Sequence, residues 1–302
     1  MEFAQKYINQ VNLLLEVIPV VAKEKCFALK GGSAINMFCQ DLPRLSVDLD
    51  LVYLTIEERE KSYENINAAL ERIKNTLASR GYEAILQGKN EKKILCSNGA
   101  ATIKIEPNYT IRGSLLEPKM LAVSQKVQEN FGYAKMNILA LEELYAGKFC
   151  AALDRQHPRD LFDVKLLFET FGGISDEMIS CFVVYALGHN RPLHELLDCT
   201  IKDNSEIFEK EFVGMTDETV SYSELADTLQ KLKDELKTRL VPYKDFMLDF
   251  VQLKADFSVL PYKNVAELPA IKWKIKNLEK LFASDKSKFD LQYKKLKAYF
   301  DF

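Results

Sequence analysis

Asp48 and Asp50 stand two residues apart in Arg44-Leu45-Ser46-Val47-Asp48-Leu49-Asp50-Leu51. Apolar residues and aspartates alternate there, and the run from Val47 to Leu54 is rich in strand-forming residues. Successive side chains of a strand point to opposite faces, so both carboxylates are expected on the same face. Like charges at that spacing repel, with only Arg44 nearby in sequence to offset them. A divalent cation between them turns repulsion into coordination, and magnesium prefers one or two carboxylates completed by substrate phosphates. The competing reading is an exposed edge strand carrying two solvated acids.

Three further stretches can serve the same chemistry. In Lys30-Gly31-Gly32-Ser33-Ala34, two glycines between a strand and a helix let backbone amides approach a phosphate, and the helix start adds partial positive charge. Taken alone, such a turn is more often only a turn. In Thr102-Ile103-Lys104-Ile105-Glu106, Lys104 and Glu106 share a strand face. Beside the Asp48 strand, Glu106 would be a third carboxylate, able to ligate a metal or accept a hydroxyl proton; otherwise the alternation is an ordinary solvated face. In the helical stretch from Leu141 to Arg155, Lys148, Ala152 and Arg155 recur on one face, a pattern suited to a triphosphate tail. Pro158 can open the next helix, and Asp160 and Asp163 fall one turn apart near its start. Arg159 and Asp163 can also simply pair.

These residues need a mixed scaffold. Phe27 to Lys30 reads as a strand, and Ser33 as the cap of a helix through Phe38. Thr55 and Glu58 suggest a capping box for a helix reaching about Arg80, where Gly81 can end it. Strand-like pieces follow at Tyr82 to Gln87, Lys93 to Cys96, Ala101 to Glu106 and Met120 to Val127, with a hairpin signal at Asn98-Gly99. From Leu139 onward the pattern is helical, near 139–155, 158–170, 175–188, 221–239, 243–257 and 271–300. The expected organisation is α+β: a core with a mixed sheet over 1–138, then a helical domain over 139–302 whose first helices complete the active site.

Composition limits the alternatives. The chain has 302 residues, 47% hydrophobic and 28% charged, the balance of a globular protein. Its net charge of -3 provides no global basic field for nucleic acid. Any such contact must be local, around Arg44, Lys89 to Lys93 or Lys272 to Lys280. No apolar run suits a membrane span of about 20 residues. Met1 to Lys25 reads as an amphipathic helix, not a signal peptide. Six cysteines without metal-site spacing read as reduced thiols of a cytoplasmic protein. His157 reads as a loop or capping residue, and neither a Gly-x-Ser-x-Gly elbow nor a full Walker A pattern occurs.

Taken together, KGGSAINMF, RLSVDLDL, a KIE strand and LYAGKFCAALDRQHPRDLFDV resemble the AbiEii/AbiGii family of nucleotidyltransferase toxins across roughly residues 25 to 170. The resemblance implies a polymerase-beta-like nucleotidyltransferase core with a helical C-terminal domain. It implies that Gly31, Gly32 and Ser33 cradle phosphates, that Asp48 and Asp50 bind metal, that Lys148 is an essential cation and that Asp160 belongs to the active site. It also implies a separate antitoxin protein and makes a tRNA 3′ end the acceptor to expect. Relatives in the wider superfamily usually carry Asp where this chain has Glu106. The expected reaction is magnesium-dependent transfer of a nucleotidyl group from an NTP to an acceptor hydroxyl, with Lys30 and Arg155 also at the NTP. A small molecule or a protein is the alternative acceptor. A nucleotide-sensing or partner-binding module without catalysis is the alternative class, disfavoured by the intact acid pair.

Overall fold

The computed structural model describes residues 4–301 in two compact units: Met1–Leu144 with Glu211–Thr219, and Tyr145–Lys210 with Val220–Phe302. The first opens with α1 (Gln5–Val21), whose buried face includes Val11, Leu14 and Ile18. The expected helix began at Met1; residues 1–3 lie outside the described residues. β1 (Phe27–Lys30) leads into one α-helical turn, α2 (Gly31–Ala34), continued by a π turn at Ile35–Cys39. β2 (Asp48–Tyr53), α3 (Arg59–Ser79), β3 (Glu83–Gln87), β4 (Lys93–Ser97) and β5 (Thr102–Asn108) follow. Then come β6 (Lys119–Ala122), α4 (Gln125–Phe131), β7 (Lys135–Ile138) and α5 (Leu141–Asp154).

The seven strands form one sheet in the order β3-β4-β5-β2-β1-β7-β6. β2 pairs antiparallel with β1 and parallel with β5, so the sheet is mixed and β2 is interior. The edge-strand reading of the two acids is thereby excluded. Along β2, Leu49 and Leu51 are buried on one face, while the other carries the half-buried Asp48 and Asp50, followed by the buried Val52. The β4–β5 hairpin turns at Asn98-Gly99, where Gly99 takes φ 85°. Pro107 is tolerated in β5 because the pairing with β4 runs no further than Ile105, so no β4 acceptor is lost to its missing N–H.

The second unit is helical: α6 (Pro158–Thr170), α7 (Asp176–Leu187), α8 (Leu193–Leu197), α9 (Ser205–Glu211), α10 (Tyr222–Arg239), α11 (Lys244–Val251), α12 (Pro269–Ser284) and α13 (Lys286–Phe300). α10 starts on a capping box formed by Ser221 and Glu224. Among the described residues no helix is long and apolar enough to cross a membrane.

Several local expectations are corrected. Ser33 is not a helix cap: the helix starts at Gly31, and the Ser33 hydroxyl turns inward to Ser46 and the Asp48 carbonyl. The Thr55–Glu58 capping box does not form. Glu57 instead accepts hydrogen bonds from Tyr53 (2.7 Å) and Asn65 (2.8 Å), which holds the segment extended until Arg59. The strand expected through Val127 stops at Ala122; α4 takes over because Asp41 accepts the Lys126 amide (2.9 Å) and Val127 is buried. The helix expected over 271–300 breaks at Asp285, whose carboxylate accepts the Lys288 amide (2.9 Å) and starts α13. The helix expected over 243–257 ends at Val251. β7 had no sequence signal strong enough to separate it from its neighbours.

The loop after β5 is tied down by one buried side chain. Glu143, 1% exposed, accepts the amides of Leu115 and Leu116, both at 3.0 Å. Replacing Glu143→Ala should destabilise the first unit by about 2 kcal/mol, since both half-buried amides lose a charged acceptor. Thermal unfolding combined with limited proteolysis should show a lower Tm and new cleavage between residues 109 and 118. An unchanged melting curve and digestion pattern would show that this clamp contributes little.

Candidate active site

The first unit brings most of the expected residues onto one face of the sheet. The register sets Asp50 opposite Lys30 on one side and opposite Glu106 on the other, while Asp48 faces Lys104. Continuing the β4–β5 register from Ile94 and Ile105 sets Lys93 opposite Glu106. Four adjacent strands thus carry Lys93, Glu106, Asp50 and Lys30 in one row, two acids flanked by two cations. All four line a cleft of about 330 Å³, together with Asn108, Tyr109 and Thr110.

The glycine turn at the end of β1 is shaped around this row. Gly31 has φ 75°, and a Cβ there would stand 2.7 Å from Asp50 Oδ2. A Cβ on Gly32 would stand 2.6 Å from a terminal nitrogen of Arg44. The two glycines therefore admit a carboxylate on one side and a guanidinium on the other. Arg44 is 2% exposed and donates to the Leu45 carbonyl (2.9 Å), so it is a support of the turn and not part of an RNA-facing basic patch.

Two carboxylates on one strand face, with a backbone cradle kept free of side chains beside one of them, fit a divalent cation. Glu106 does not join them as a third ligand in this arrangement. Its carboxylate lies 3.8 Å from the Lys93 ammonium and 3.6 Å from that of Lys104. Among the described residues, no three His, Cys, Asp or Glu side chains are grouped to hold an ion. The sequence had shown Lys93 only as part of a basic run; its place in the row comes from strand register.

The second unit holds a separate charged cluster. α5 closes with Gln156 in the left-handed region (φ 55°), and Gln156 is buried with its side chain bonded to Thr200 and Lys202. His157 then caps α6 by accepting the Arg159 amide, and Pro158 occupies the first turn. This tight reversal returns Asp160 to the α5 face carrying Lys148 and Arg155. The Lys148 ammonium is 2.7 Å from Asp160 and 2.9 Å from Asp163, and all three side chains are at most 4% exposed. Arg155, largely exposed, donates to Asp160 at 2.6 Å. Both cations of the expected helical face thus meet a carboxylate of their own unit. Burial alone would raise the Asp160 carboxyl, but Lys148 and Arg155 outweigh it and hold it well below the usual carboxylate range.

Two outcomes follow from these geometries. Lys148→Met should destabilise the second unit by about 3–5 kcal/mol, because it takes the buried ammonium away from two buried carboxylates. Adding Asp160→Asn and Asp163→Asn should recover part of that loss in the melting temperature; no recovery would argue that the lysine stem, not its charge, matters. The pH dependence has a defined sign. Asp160 has a lower pKa folded than unfolded, so the native state binds fewer protons. Its stabilisation is present above about pH 5 and is lost progressively as pH falls through the unfolded value near 4 towards the folded one. Acid unfolding of Asp160→Asn should therefore be less steep than wild type below pH 5.

No curated protein matches the chain. Among solved structures, it is similar to MenT4, nucleotidyltransferase toxin Rv2826c from Mycobacterium tuberculosis H37Rv, with TM-score 0.58 and 13% identity over 83% of this chain and 94% of that one. At that identity the likeness concerns the fold, and it agrees with the α+β architecture. An apo-form tRNA-processing enzyme aligns over 99% of both chains at 12% identity, but its TM-score of 0.27 carries no weight. A family profile described as nucleotidyl transferase AbiEii toxin, type IV toxin–antitoxin system, matches residues 12–277. With a match over most of its length, the chain belongs to the AbiEii family and is a nucleotidyltransferase toxin.

Proposed function

We propose that this enzyme transfers a nucleotidyl group from a magnesium-bound NTP to a hydroxyl of an RNA acceptor, a tRNA 3′ end being the acceptor expected. The observation that carries this reading is the pair Asp48 and Asp50 on one face of an interior strand, with Glu106 in register beside Asp50 and the glycine turn adjoining it. Asp48 and Asp50 hold the metal, which when bound supplies Lewis-acid neutralisation of charge on the transferring phosphoryl group. The amides of Gly32 and Ser33, with Lys30, receive the outer phosphates. The Ser33 hydroxyl is spent on Ser46 and Asp48, so its part here is through the backbone.

In the transfer, the acceptor oxygen forms a bond to the α-phosphorus, the α–β phosphoanhydride bond breaks, and pyrophosphate leaves. Glu106 takes the hydroxyl proton on a carboxylate oxygen that a lysine neighbour has released. Lys148 acts by fixing Asp160 and Asp163, and Arg155, exposed beyond Asp160, is the cation of that cluster able to meet a phosphate. An RNA acceptor is supported by Lys92 and Lys93 in the cleft and, in the second unit, by residues 269–302. There eight exposed lysines stand against four acids, with Trp273 and Phe282 exposed between them, while a ninth, Lys274, is buried and held by the His189 and Arg191 carbonyls. The toxin family carries the expectation of an antitoxin partner and of action in the cytoplasm.

Asp48→Asn and Asp50→Asn should each lower transfer by at least about 100-fold, the scale of losing one preorganised charge-stabilising group. The melting temperature in metal-free buffer should hold or rise, because the substitution relieves repulsion. Incorporation of label from each α-labelled NTP into total RNA and total protein measures this and identifies the acceptor class. Label entering protein alone would reject the RNA acceptor, and full activity in either variant would reject the metal pair.

Expression should slow bacterial growth, and Asp48→Asn should restore it at matched soluble levels. Equal growth of the two strains would separate toxicity from catalysis.

A further inference from the structure

The row across the sheet has a direction. The glycine turn and Lys30 stand at one end, Asp50 and Glu106 in the middle, and Lys93 at the other end. Neighbouring strands are about 4.8 Å apart, so Lys93 stands three strand spacings, roughly 14 Å, from Lys30. If the NTP phosphates lie at the glycine turn, Lys93 is on the far side of both acids, beyond the group that receives the acceptor's proton. Lys93 remains one-third exposed, and its 3.8 Å approach to Glu106 is loose, the kind of solvent-screened pair that contributes little. Its ammonium can leave Glu106 for a stronger anion at little cost. Beside it in the cleft are Lys92 and Tyr109, and the Tyr109 ring is fixed edge-on against Tyr63 at 4.8 Å.

We propose that Lys93 is the acceptor-side cation of this enzyme: it pairs with Glu106 in the free protein and turns to the phosphodiester next to the attacking hydroxyl when the acceptor binds. This rests on the nucleotidyltransfer reading above and adds a requirement to it, that the acceptor carry a phosphate beside its hydroxyl. A neutral acceptor leaves Lys93 without a role. The same movement frees Glu106 from one of its two lysines as the hydroxyl arrives. Lys93 is thus a specificity-determining residue, and Lys104, which touches the same carboxylate at 3.6 Å without lining the cleft, is its natural control.

The test measures two affinities on the full chain, with calcium replacing magnesium to prevent turnover. One ligand is each ribonucleoside triphosphate; the other is a single-stranded hexaribonucleotide of mixed sequence with a free 3′ hydroxyl. Lys93→Met should weaken hexanucleotide binding about 5- to 20-fold and flatten its dependence on salt by about one ion, while NTP affinity stays within about two-fold. Lys93→Arg should retain most of the hexanucleotide affinity, and Lys104→Met should leave both affinities unchanged. Weakened NTP binding with unchanged hexanucleotide binding in Lys93→Met would overturn the assignment and move Lys93 to the nucleotide side. Wild-type binding of NTP without any hexanucleotide binding would overturn it too, leaving the nucleotide site intact. Failure of the wild type to bind any NTP would instead bring down the nucleotidyltransfer reading on which the proposal stands.

Discussion

Asp48 and Asp50 project side by side from an interior strand, and their mutual repulsion is the constraint around which the first unit is arranged. β2 can carry them because its other face supplies the stability: Leu49 and Leu51 are buried there, and hydrogen-bonded neighbours flank the strand on both sides. Everything near the acids yields to them. Gly31 gives up a side chain so that Asp50 can approach, and Gly32 does the same for Arg44. The Ser33–Ser46 contact ties the turn to the chain leading into β2. In the free protein the half-exposed Lys93 and Lys104 approach Glu106, and Lys30 stands in register with Asp50.

The cluster in the second unit solves a similar problem in the opposite way. Asp160 and Asp163 are buried beyond the reach of solvent, so their charge is answered internally by Lys148 at hydrogen-bonding distance. The left-handed Gln156 makes that possible, because it reverses the chain within a few residues and sets α6 back against the end of α5. A loose, half-exposed arrangement can exchange partners; a buried, tightly paired one cannot without losing stability. That contrast separates the residues proposed to touch substrate from those proposed to hold others in place.

The elements that were legible in the sequence are those whose local signals agree. The β1 run, the alternation in β2, the Asn98-Gly99 hairpin and the α6 and α10 starts all lie where propensity, pattern and turn chemistry point the same way. Where they failed, a competing side-chain contact had decided the outcome. Glu57 is held by Tyr53 and Asn65, a local network that propensity rules do not weigh, whereas Asp41 reaches the first turn of α4 from 85 residues away, beyond any window of neighbouring residues.

For the site, the sequence by itself determined the pairing of Asp48 with Asp50 on one face, because a strand's period of two follows from backbone geometry. It also determined that Lys148 and Arg155 share a helical face, through the period of 3.6. Only the tertiary structure decided what those faces meet. Strand order and register set Glu106 beside Asp50 and Lys93 beside Glu106, across separations that no local rule constrains. The reversal at Gln156 likewise turned an apparent phosphate-facing lysine into the buried partner of two carboxylates. Periodicity tells which residues point the same way; what stands opposite them depends on long-range packing.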